Sequence, residues 1–485
     1  MSGSFSTERA VVIGFGVSGR AAARVLAAEG AEVRVSEART LDELGAFAAG
    51  SAESVEHLDE PIEEVEVLAG GHRPEHLDGA TLVVVSPGVP HGADVLGWAR
   101  QMGLPIWSEL ELGARLCRVP YVAVTGTNGK TTTVELLAQM MRAGGLSAKA
   151  CGNVGYPFSL AARDRSLRAL AVECSSFQLA FQETLHPKVS VLLNLAPDHL
   201  DWHGSFEAYV LAKSRVFARQ GPGDTHVGNR DDPEASRLSR QAPCPVLWFG
   251  RGAPGPGGIG VDGGRVLFAS SDEGEKGTPS VVDLGRPPSE HPSFLADAAG
   301  AAAAGLAFGL PAEAIGAALG SFTPLPHRGT VVAQAGSVRF VDDSKATNPH
   351  AALAALEGLK DAVLIAGGLA KGVDLSPLGT ASANLAAVVA LGEAAPAVAA
   401  VFDGLVPVIR ASSIDQAVEL AFGAAPPGGT VILAPACASQ DMFRDYRERG
   451  ERFASAARAL SARVGESNGG PAMRAGEHRA GRSRE

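Results

Sequence analysis

The sequence predicts an α/β protein of three domains: an N-terminal Rossmann-like parallel sheet, a central P-loop-type α/β domain and a C-terminal Rossmann-like α/β domain. Three observations predict it. The chain has 485 residues, too many for one core and enough for about three domains. Apolar strand-like runs alternate with Ala- and Leu-rich helix-like runs, the order of a parallel sheet flanked by helices. Two glycine turns, one near the N-terminus and one beyond Tyr121, each follow a strand and open a helix.

The first third reads strand "RAVVIGFG", helix "RAAARVLAAEG", strand "AEVRVSEAR" and later strand "TLVVVSPGVP". A boundary near Val119 closes a first domain at 1–118. A fresh strand–loop–helix unit starts at Tyr121 and continues through "ALAVECSS" and "VSVLLNLA", which begins a second domain over 119–324. The Gly- and Pro-rich stretch from Gly221 to Pro288 reads as an antiparallel flap on it. "FTPLPHRG" looks like a hinge, and four further strands, "VRFVDDSKATN", "DAVLIAGG", "AAVVALG" and "GGTVILAPACAS", make a third domain over 325–465. The polar, Gly-rich end, 466–485, reads as a disordered tail.

Composition narrows the function. The balance of 42 basic to 53 acidic residues gives −11, which argues against a nucleic-acid surface. An anionic ligand would therefore be met locally, by a few Lys or Arg, helix N-termini and metal ions. The five cysteines are scattered with no Cys-x-x-Cys, so neither a disulfide framework nor zinc is indicated and a cytoplasmic location fits. No signal peptide is recognisable at the N-terminus. "AGAAAAGLAFGL" is too short to span a bilayer and reads as a buried helix, so no membrane partner is expected.

The first turn, "VVIGFGVSGR", has G-x-G-x-x-G at Gly14, Gly16 and Gly19, with Glu37 closing the next strand. Taken alone it suggests a nicotinamide cofactor. Its physics is broader, because glycines bring backbone N–H groups and a helix dipole to any diphosphate, including a UDP-linked one. A tight turn without ligand stays open too. The second turn, "GTNGKTT" from Gly126 to Thr132, has Val124 where the usual phosphate loop carries its first glycine. It keeps what a triphosphate needs: Gly126 and Gly129 free the backbone, Lys130 is a point charge and the Thr131 hydroxyl can hold Mg²⁺. We read it as an ATP site, and the central domain as P-loop ATPase-type. Glu173 at the end of an apolar strand is placed where such sheets hold Mg²⁺. Asp198, His199, Asp201 and His203 crowd one loop without zinc spacing, and Lys213 follows on the next helix.

"GTNGKTTT", "GNVGYP", "ECSSFQL", "DHLDWHGSFEAYVLAKSRVF", "PHR" and "DDSKATNP" occur in the order found in the Mur ligase family, which the chain resembles over nearly its whole length. The family's members are ATP-dependent amino-acid ligases of peptidoglycan precursor synthesis. The resemblance implies ATP binding at Gly126, Thr127, Asn128, Gly129, Lys130, Thr131 and Thr132, with Arg328, Asp343 and Lys345 organising phosphates. It implies two Mg²⁺ ions near Thr131, Glu173, His199 and Lys213, the last as a CO₂-derived carbamate. It gives catalytic weight to Lys130, Glu173, His199, Lys213, Arg328 and Lys345.

"VVIGFGVSGR", "VSEAR" and "VVVSPGVP" resemble the D-glutamate-adding branch. That implies UDP-N-acetylmuramoyl-L-alanine at Gly16, Val17, Ser18, Gly19, Glu37, Arg39, Ser86, Pro87, Gly88, Asn153 and His199. It also implies D-glutamate at Thr347, Lys371, Ser439 and Tyr446, in a monomeric enzyme. The chain departs from the family at Pro292 and Leu295, where Asn is usual, at Thr330 for Glu and at Tyr446 for Phe.

Overall fold

The computed structural model describes residues 5–44, 62, 65–273 and 279–468. The chain divides into two compact units, Met1–Pro324 and Leu325–Glu485. The first unit holds two sheets, so the first two expected domains fall within it, and the second holds one.

The first sheet contains β1 (Arg9–Ile13), β2 (Glu32–Ser36), β3 (Val65–Leu68), β4 (Leu82–Val85) and β5 (Ile106–Ser108). Its order is β3-β2-β1-β4-β5 and every pairing is parallel. β4 reads Leu-Val-Val-Val and is buried throughout, the near-continuous apolar run that a sheet covered on both faces requires. The strand order reverses between β1 and β4, and in sheets of this kind ligands bind outside the carboxyl ends of the strands at such a switch point. Both the Gly14–Gly19 turn and the Ser86–Gly88 turn leave from that edge.

The second sheet contains β6 (Tyr121–Thr125), β7 (Ala148–Gly152), β8 (Ala169–Glu173), β9 (Val189–Leu192), β10 (Thr225–Asn229), β11 (Val246–Phe249), β12 (Gly258–Asp262), β13 (Arg265–Glu273) and β14 (Pro279–Gly285). Its order is β14-β13-β12-β11-β10-β9-β6-β8-β7. The flap reading of Gly221 to Pro288 is corrected here. β10 pairs parallel with β9, β11 with β10 and β12 with β11, so this stretch widens the same sheet, and the expected antiparallel pairing is confined to β12–β13 and β13–β14 at its edge. The turn-rich composition reported the connections, not the pairing partner, which lies far away in sequence.

The Ala-rich run forms a helix over Pro292–Phe308, opened by proline at its first position, with Ala298 to Gly305 buried. A Cβ on Gly300 would stand 3.0 Å from Leu193 and 3.3 Å from Phe249, so small residues let this helix lie close to the sheet. No helix among the described residues is long and apolar enough to cross a membrane.

The second unit contains β15 (Thr330–Ala335), β16 (Val338–Asp342), β17 (Ala362–Gly367), β18 (Leu385–Leu391), β19 (Val408–Arg410) and β20 (Thr430–Leu433), in the order β15-β16-β20-β17-β18-β19. β15 is antiparallel to β16 and the rest are parallel. Apolar clusters cover both faces, one around Phe402 and Leu378, the other around Phe340 and Phe453. The last helix runs over Tyr446–Asn468, three residues into the stretch read as a tail; 469–485 lie outside the described residues.

Candidate active site

At the first turn Gly14 is left-handed at φ 84°, and a Cβ on Gly19 would stand 1.9 Å from the Gly14 carbonyl oxygen. Only glycine lets the helix Val17–Ala28 start this close to β1. Ser86 Oγ donates to the same carbonyl at 3.0 Å, which ties the second turn to the first. Gly16 precedes the helix and no side chain caps it. The N-terminus, with Val17, Ser18 and Gly19, therefore keeps backbone donors for an anion.

Glu37 is buried at the end of β2 and accepts from Phe15 N at 2.6 Å, Arg39 N at 2.9 Å, Arg39 Nε at 2.9 Å and Arg39 Nη2 at 3.0 Å. Burial alone would raise its pKa, but the Arg39 guanidinium and the backbone donors outweigh it and bring the carboxyl down to about 2. It stays ionised and holds the Phe15 backbone in place.

At the second turn Gly126 has φ 155° and Gly129 φ 85°, and Gly129 precedes the helix Lys130–Ala143 with no side-chain cap. Lys130 Nζ donates to the carbonyls of Gly126 at 2.9 Å and Thr127 at 2.8 Å. Thr127 N donates to Asn194 O at 3.0 Å and Asn128 N to Asn194 Oδ1 at 2.8 Å, and Thr127 Oγ1 lies 2.9 Å from the Tyr209 hydroxyl. Thr132 is buried and Thr131 half-buried on the first turn of the helix. Lys213, fully buried, donates to the Gly126 carbonyl at 2.8 Å. Burial, then the neighbouring Lys130 charge, pull its pKa well below the ordinary lysine value.

Glu173 ends β8, is 2 % exposed and accepts from Asn153 Nδ2 at 3.0 Å. His199 is left-handed at φ 52°, lies 3.7 Å from Asp198 and meets the Phe177 ring at 4.7 Å. Among the described residues no three His, Cys, Asp or Glu side chains converge as a metal-holding group. A metal here would need oxygens from a phosphate or a modified side chain. Ser86, Pro87, Phe177, Gln178, Phe181 and Trp202 line one shallow recess. Gln178 is 1 % exposed and its Nε2 has no hydrogen-bond partner among the described residues. Trp202 Nε1 donates to Val89 O at 3.0 Å, which joins the Ser86 turn to the His199 loop.

In the second unit, Asp343, Lys345 and Thr347 follow β16, Lys371 follows β17 and Ser439 follows β20, the strand between them. Ala436 N donates to Ala346 O at 2.9 Å, and Leu369 and Ala438 exchange backbone hydrogen bonds at 2.9 and 3.0 Å. Three loops so meet at one carboxyl edge. Lys371 and Ala436 are left-handed at φ 50° and 59°, conformations that non-glycine residues avoid without support. Lys345 Nζ lies 4.0 Å from the Tyr446 ring centroid, and Ser439 is 1 % exposed. Desolvation raises Asp343 to about 7, against the Arg328 guanidinium, which lowers it.

Sequence models match in three consecutive stretches: a Mur ligase MurD-like N-terminal domain over residues 8–108, a Mur ligase middle domain over 124–255 and a Mur ligase glutamate ligase domain over 327–437. The chain belongs to the Mur ligase family. It is 44% identical to a UDP-N-acetylmuramoylalanine–D-glutamate ligase of Frankia casuarinae, over 93% of each chain. It is 38% identical to the ligase of that name in Streptomyces coelicolor, over 95% of this chain and all of that one. In fold it is similar to a UDP-N-acetylmuramate–alanine ligase of Thermotoga maritima, with a TM-score of 0.57, 16% identity and coverage of 94% of this chain and 100% of the other.

Four polar residues at these loops escaped sequence reasoning. Asn194, two positions past β9, hydrogen-bonds the Thr127–Asn128 backbone, and an amide just past an apolar strand was a signal of the same kind as Glu173. Asp297 has its carboxylate 2.0 Å from where a Cβ on Gly129 would stand, so this acid meets the phosphate loop from the Ala-rich helix. Its signal in the sequence is a lone acid in an alanine-rich helix. Gln178 lay inside "ECSSFQL", and Trp202 inside "DHLDWHG", but nothing local told them from core residues.

Proposed function

We propose that the chain is an ATP-dependent ligase that joins D-glutamate to UDP-N-acetylmuramoyl-L-alanine through an acyl phosphate, in the cytoplasmic stage of peptidoglycan precursor synthesis. One observation carries the reading: a single unit holds two glycine turns, each opening a helix with no side-chain cap, so one chain can grip two different polyphosphates. Full-length likeness to ligases named for D-glutamate supports the choice of amino acid. It disfavours the nicotinamide reading of the first turn.

The first turn, with Gly16 to Gly19, Ser86 to Gly88, Glu37 and Arg39, takes the UDP group. Asn153 and His199 then face the muramoyl end. The second turn takes ATP. Its fit to a triphosphate rests on the uncapped helix and on Lys130, whose ammonium donates to carbonyls of its own loop and can turn to phosphate oxygens. Its fit to Mg²⁺ rests on the Thr131 hydroxyl and the Glu173 carboxylate, hard oxygen donors beside that loop. Mg²⁺ bound there supplies charge neutralisation for phosphoryl transfer.

The substrate carboxylate oxygen attacks the γ-phosphorus, the P–O bond to ADP breaks and an acyl phosphate forms. The D-glutamate amine then attacks the acyl carbon, the C–O bond to phosphate breaks and a phosphate or substrate oxygen takes the amine proton. Lys371 and Thr347 hold the α-carboxylate, Ser439 and Tyr446 the side-chain carboxylate, and Arg328, Asp343 and Lys345 organise phosphates. Two separate clusters are what a dicarboxylate requires. Lys213 carries a carbamate in the working enzyme. Burial and Lys130 favour its neutral amine, the form that attacks CO₂, and the product is an anion that can lie beside a metal where an ammonium could not.

The test is ADP release on UDP-N-acetylmuramoyl-L-alanine with each candidate amino acid in turn. Release with D-glutamate is expected. Release with L-glutamate or meso-diaminopimelate and none with D-glutamate would overturn the substrate reading.

A further inference from the structure

His327, in the turn that leads into β15, is left-handed at φ 62°, a conformation few non-glycine residues adopt. Its Nδ1 lies 2.7 Å from Oδ2 of Asp342, the last residue of β16. Asp342 is 1 % exposed, and its other oxygen accepts from Ser344 N at 3.0 Å. A carboxylate oxygen only accepts, so Nδ1 carries the ring proton and Nε2 keeps a bare lone pair. Nε2 makes no hydrogen bond among the described residues, and the side chain is 14 % exposed. The helix Tyr446–Asn468 is shaped to the pair: a Cβ on Gly450 would stand 2.2 Å from His327 Nδ1 and 2.8 Å from Asp342 Oδ2. Glycine inside a helix is destabilising relative to alanine, and here it makes the room that the pair needs.

The pair stands among the side chains proposed to hold the amino acid and phosphate. The His327 ring meets the Tyr446 ring edge-on at 6.2 Å, and Lys345 Nζ lies 4.0 Å from the centroid of that same ring. Lys345 N donates to His327 O at 3.2 Å, and Arg328 is the next residue along the chain. Asp343 follows Asp342, and the Arg449 guanidinium stands beside the Asp342 carboxylate. The chemistry needs a proton acceptor here. D-Glutamate arrives with its amine protonated at neutral pH, and an ammonium has no lone pair with which to attack. Two protons therefore leave that nitrogen before the amide is complete. The one lost after attack goes to a phosphate or substrate oxygen; the one lost before it requires a base beside the amino acid.

We propose that His327, oriented by Asp342, is the general base that frees the D-glutamate amine for attack. Its Nε2 takes a proton from the ammonium: an N–H bond of the substrate breaks, an Nε2–H bond forms and the substrate nitrogen recovers its lone pair. The imidazolium so formed faces the Asp342 carboxylate through Nδ1–H, which offsets its charge. It returns the proton to solvent as the product leaves. This rests on the reading that D-glutamate is the amino acid bound beside Tyr446.

The full-length protein, with ATP, Mg²⁺ and UDP-N-acetylmuramoyl-L-alanine, is given saturating D-glutamate or, in its place, hydroxylamine. Hydroxylamine is uncharged at neutral pH and captures an acyl phosphate as the hydroxamate without a base. Wild type is measured first. No hydroxamate sinks the acyl-phosphate reading, hydroxamate without D-glutamate turnover sinks the amino-acid reading, and either result takes this inference with it. Given both reactions, His327→Asn is compared with wild type. Asn tolerates left-handed backbone and its Nδ2 can donate to Asp342 as Nδ1 does, so Nε2 is what the change removes. The ratio of D-glutamate turnover to hydroxamate formation should fall by about tenfold or more. A smaller change in that ratio, including a common loss in both reactions, means a structural role and overturns the inference. Asp342→Asn is read by the same ratio with the same expected fall, and decides alone should His327→Asn not fold. Its amide can donate to Nδ1 and so drive the ring proton to Nε2, the wrong tautomer for a base.

Discussion

Lys130 and Lys213 both place Nζ on the Gly126 carbonyl, at 2.9 and 2.8 Å. Lys130 is half-buried and keeps a second acceptor in Thr127, whereas Lys213 is fully buried and pressed from the side by that charge. Burial and the Lys130 charge thus favour the neutral amine at Lys213, the form that the proposed carbamate requires. Lys213→Ala should lower kcat by about 100-fold or more and regain part of it with short carboxylates such as formate, which restore an anionic oxygen where the carbamate would lie. Full activity without added carboxylate, measured by ADP release, would remove the carbamate from the mechanism. Sequence alone offered Lys213 as a lysine on a helix. Its burial depends on Thr125 and Tyr209 from distant segments, which no local pattern reports.

Between strand and helix, His226 shows how elements of the central sheet are joined. It sits on β10, unexposed, with Nδ1 2.7 Å from Ser190 Oγ on β9 and Nε2 2.9 Å from Ser239 Oγ on the helix Pro233–Ser239. Ser190 donates to Gln220 Oε1 at 2.6 Å, so the imidazole donates through Nδ1 and accepts from Ser239 through Nε2. That neutral tautomer satisfies both ring nitrogens, and burial pushes the pKa from 6.5 to about 3. The unfolded chain binds this proton far more readily than the folded one below pH 6.5, so the stability contribution is present above 6.5 and is lost as pH falls towards 3. Between pH 7 and pH 5 the loss is about 2 kcal/mol. Urea unfolding should show a smaller pH dependence by that amount in His226→Gln, and an identical dependence in both proteins would contradict the assignment. The elements themselves were largely legible. "YVAVTGTNGKTTTVELLAQMM" reads as strand, turn and helix and is β6 followed by Lys130–Ala143. The β10–β14 segment was misread because its short strands carry no sign of whether they join β9 or one another.

At the scale of the molecule, 325–468 has what an independent unit needs: a six-stranded sheet with apolar clusters on both faces, Phe340 and Phe402 at no exposure. Residues 325–485 expressed alone should unfold in one cooperative thermal transition with a dispersed amide spectrum. A broad, non-cooperative melt would mean that the unit borrows its stability from the rest of the chain. Loops at the carboxyl edge of this sheet carry Lys371 and Ala436 in left-handed backbone that hydrogen bonds between loops must sustain. That support comes from across the sheet.

The sequence by itself determined the α/β class, both glycine turns, and the order of motifs that places the chain among Mur ligases. Each is a short-range property: glycine where φ must be positive, an apolar run before it and a periodic helix after it. Only the tertiary structure decided that Lys213 is buried beside Lys130, that Asn194 and Asp297 meet the phosphate loop, that β10 to β14 extend one sheet, and that a buried Arg449 donates to the loops of both Ser344 and Cys437. The physical reason is common to all four. Burial and electrostatic environment are set by neighbours remote in the chain, so a residue's charge state and partners follow from the packing of whole elements rather than from the residues next to it.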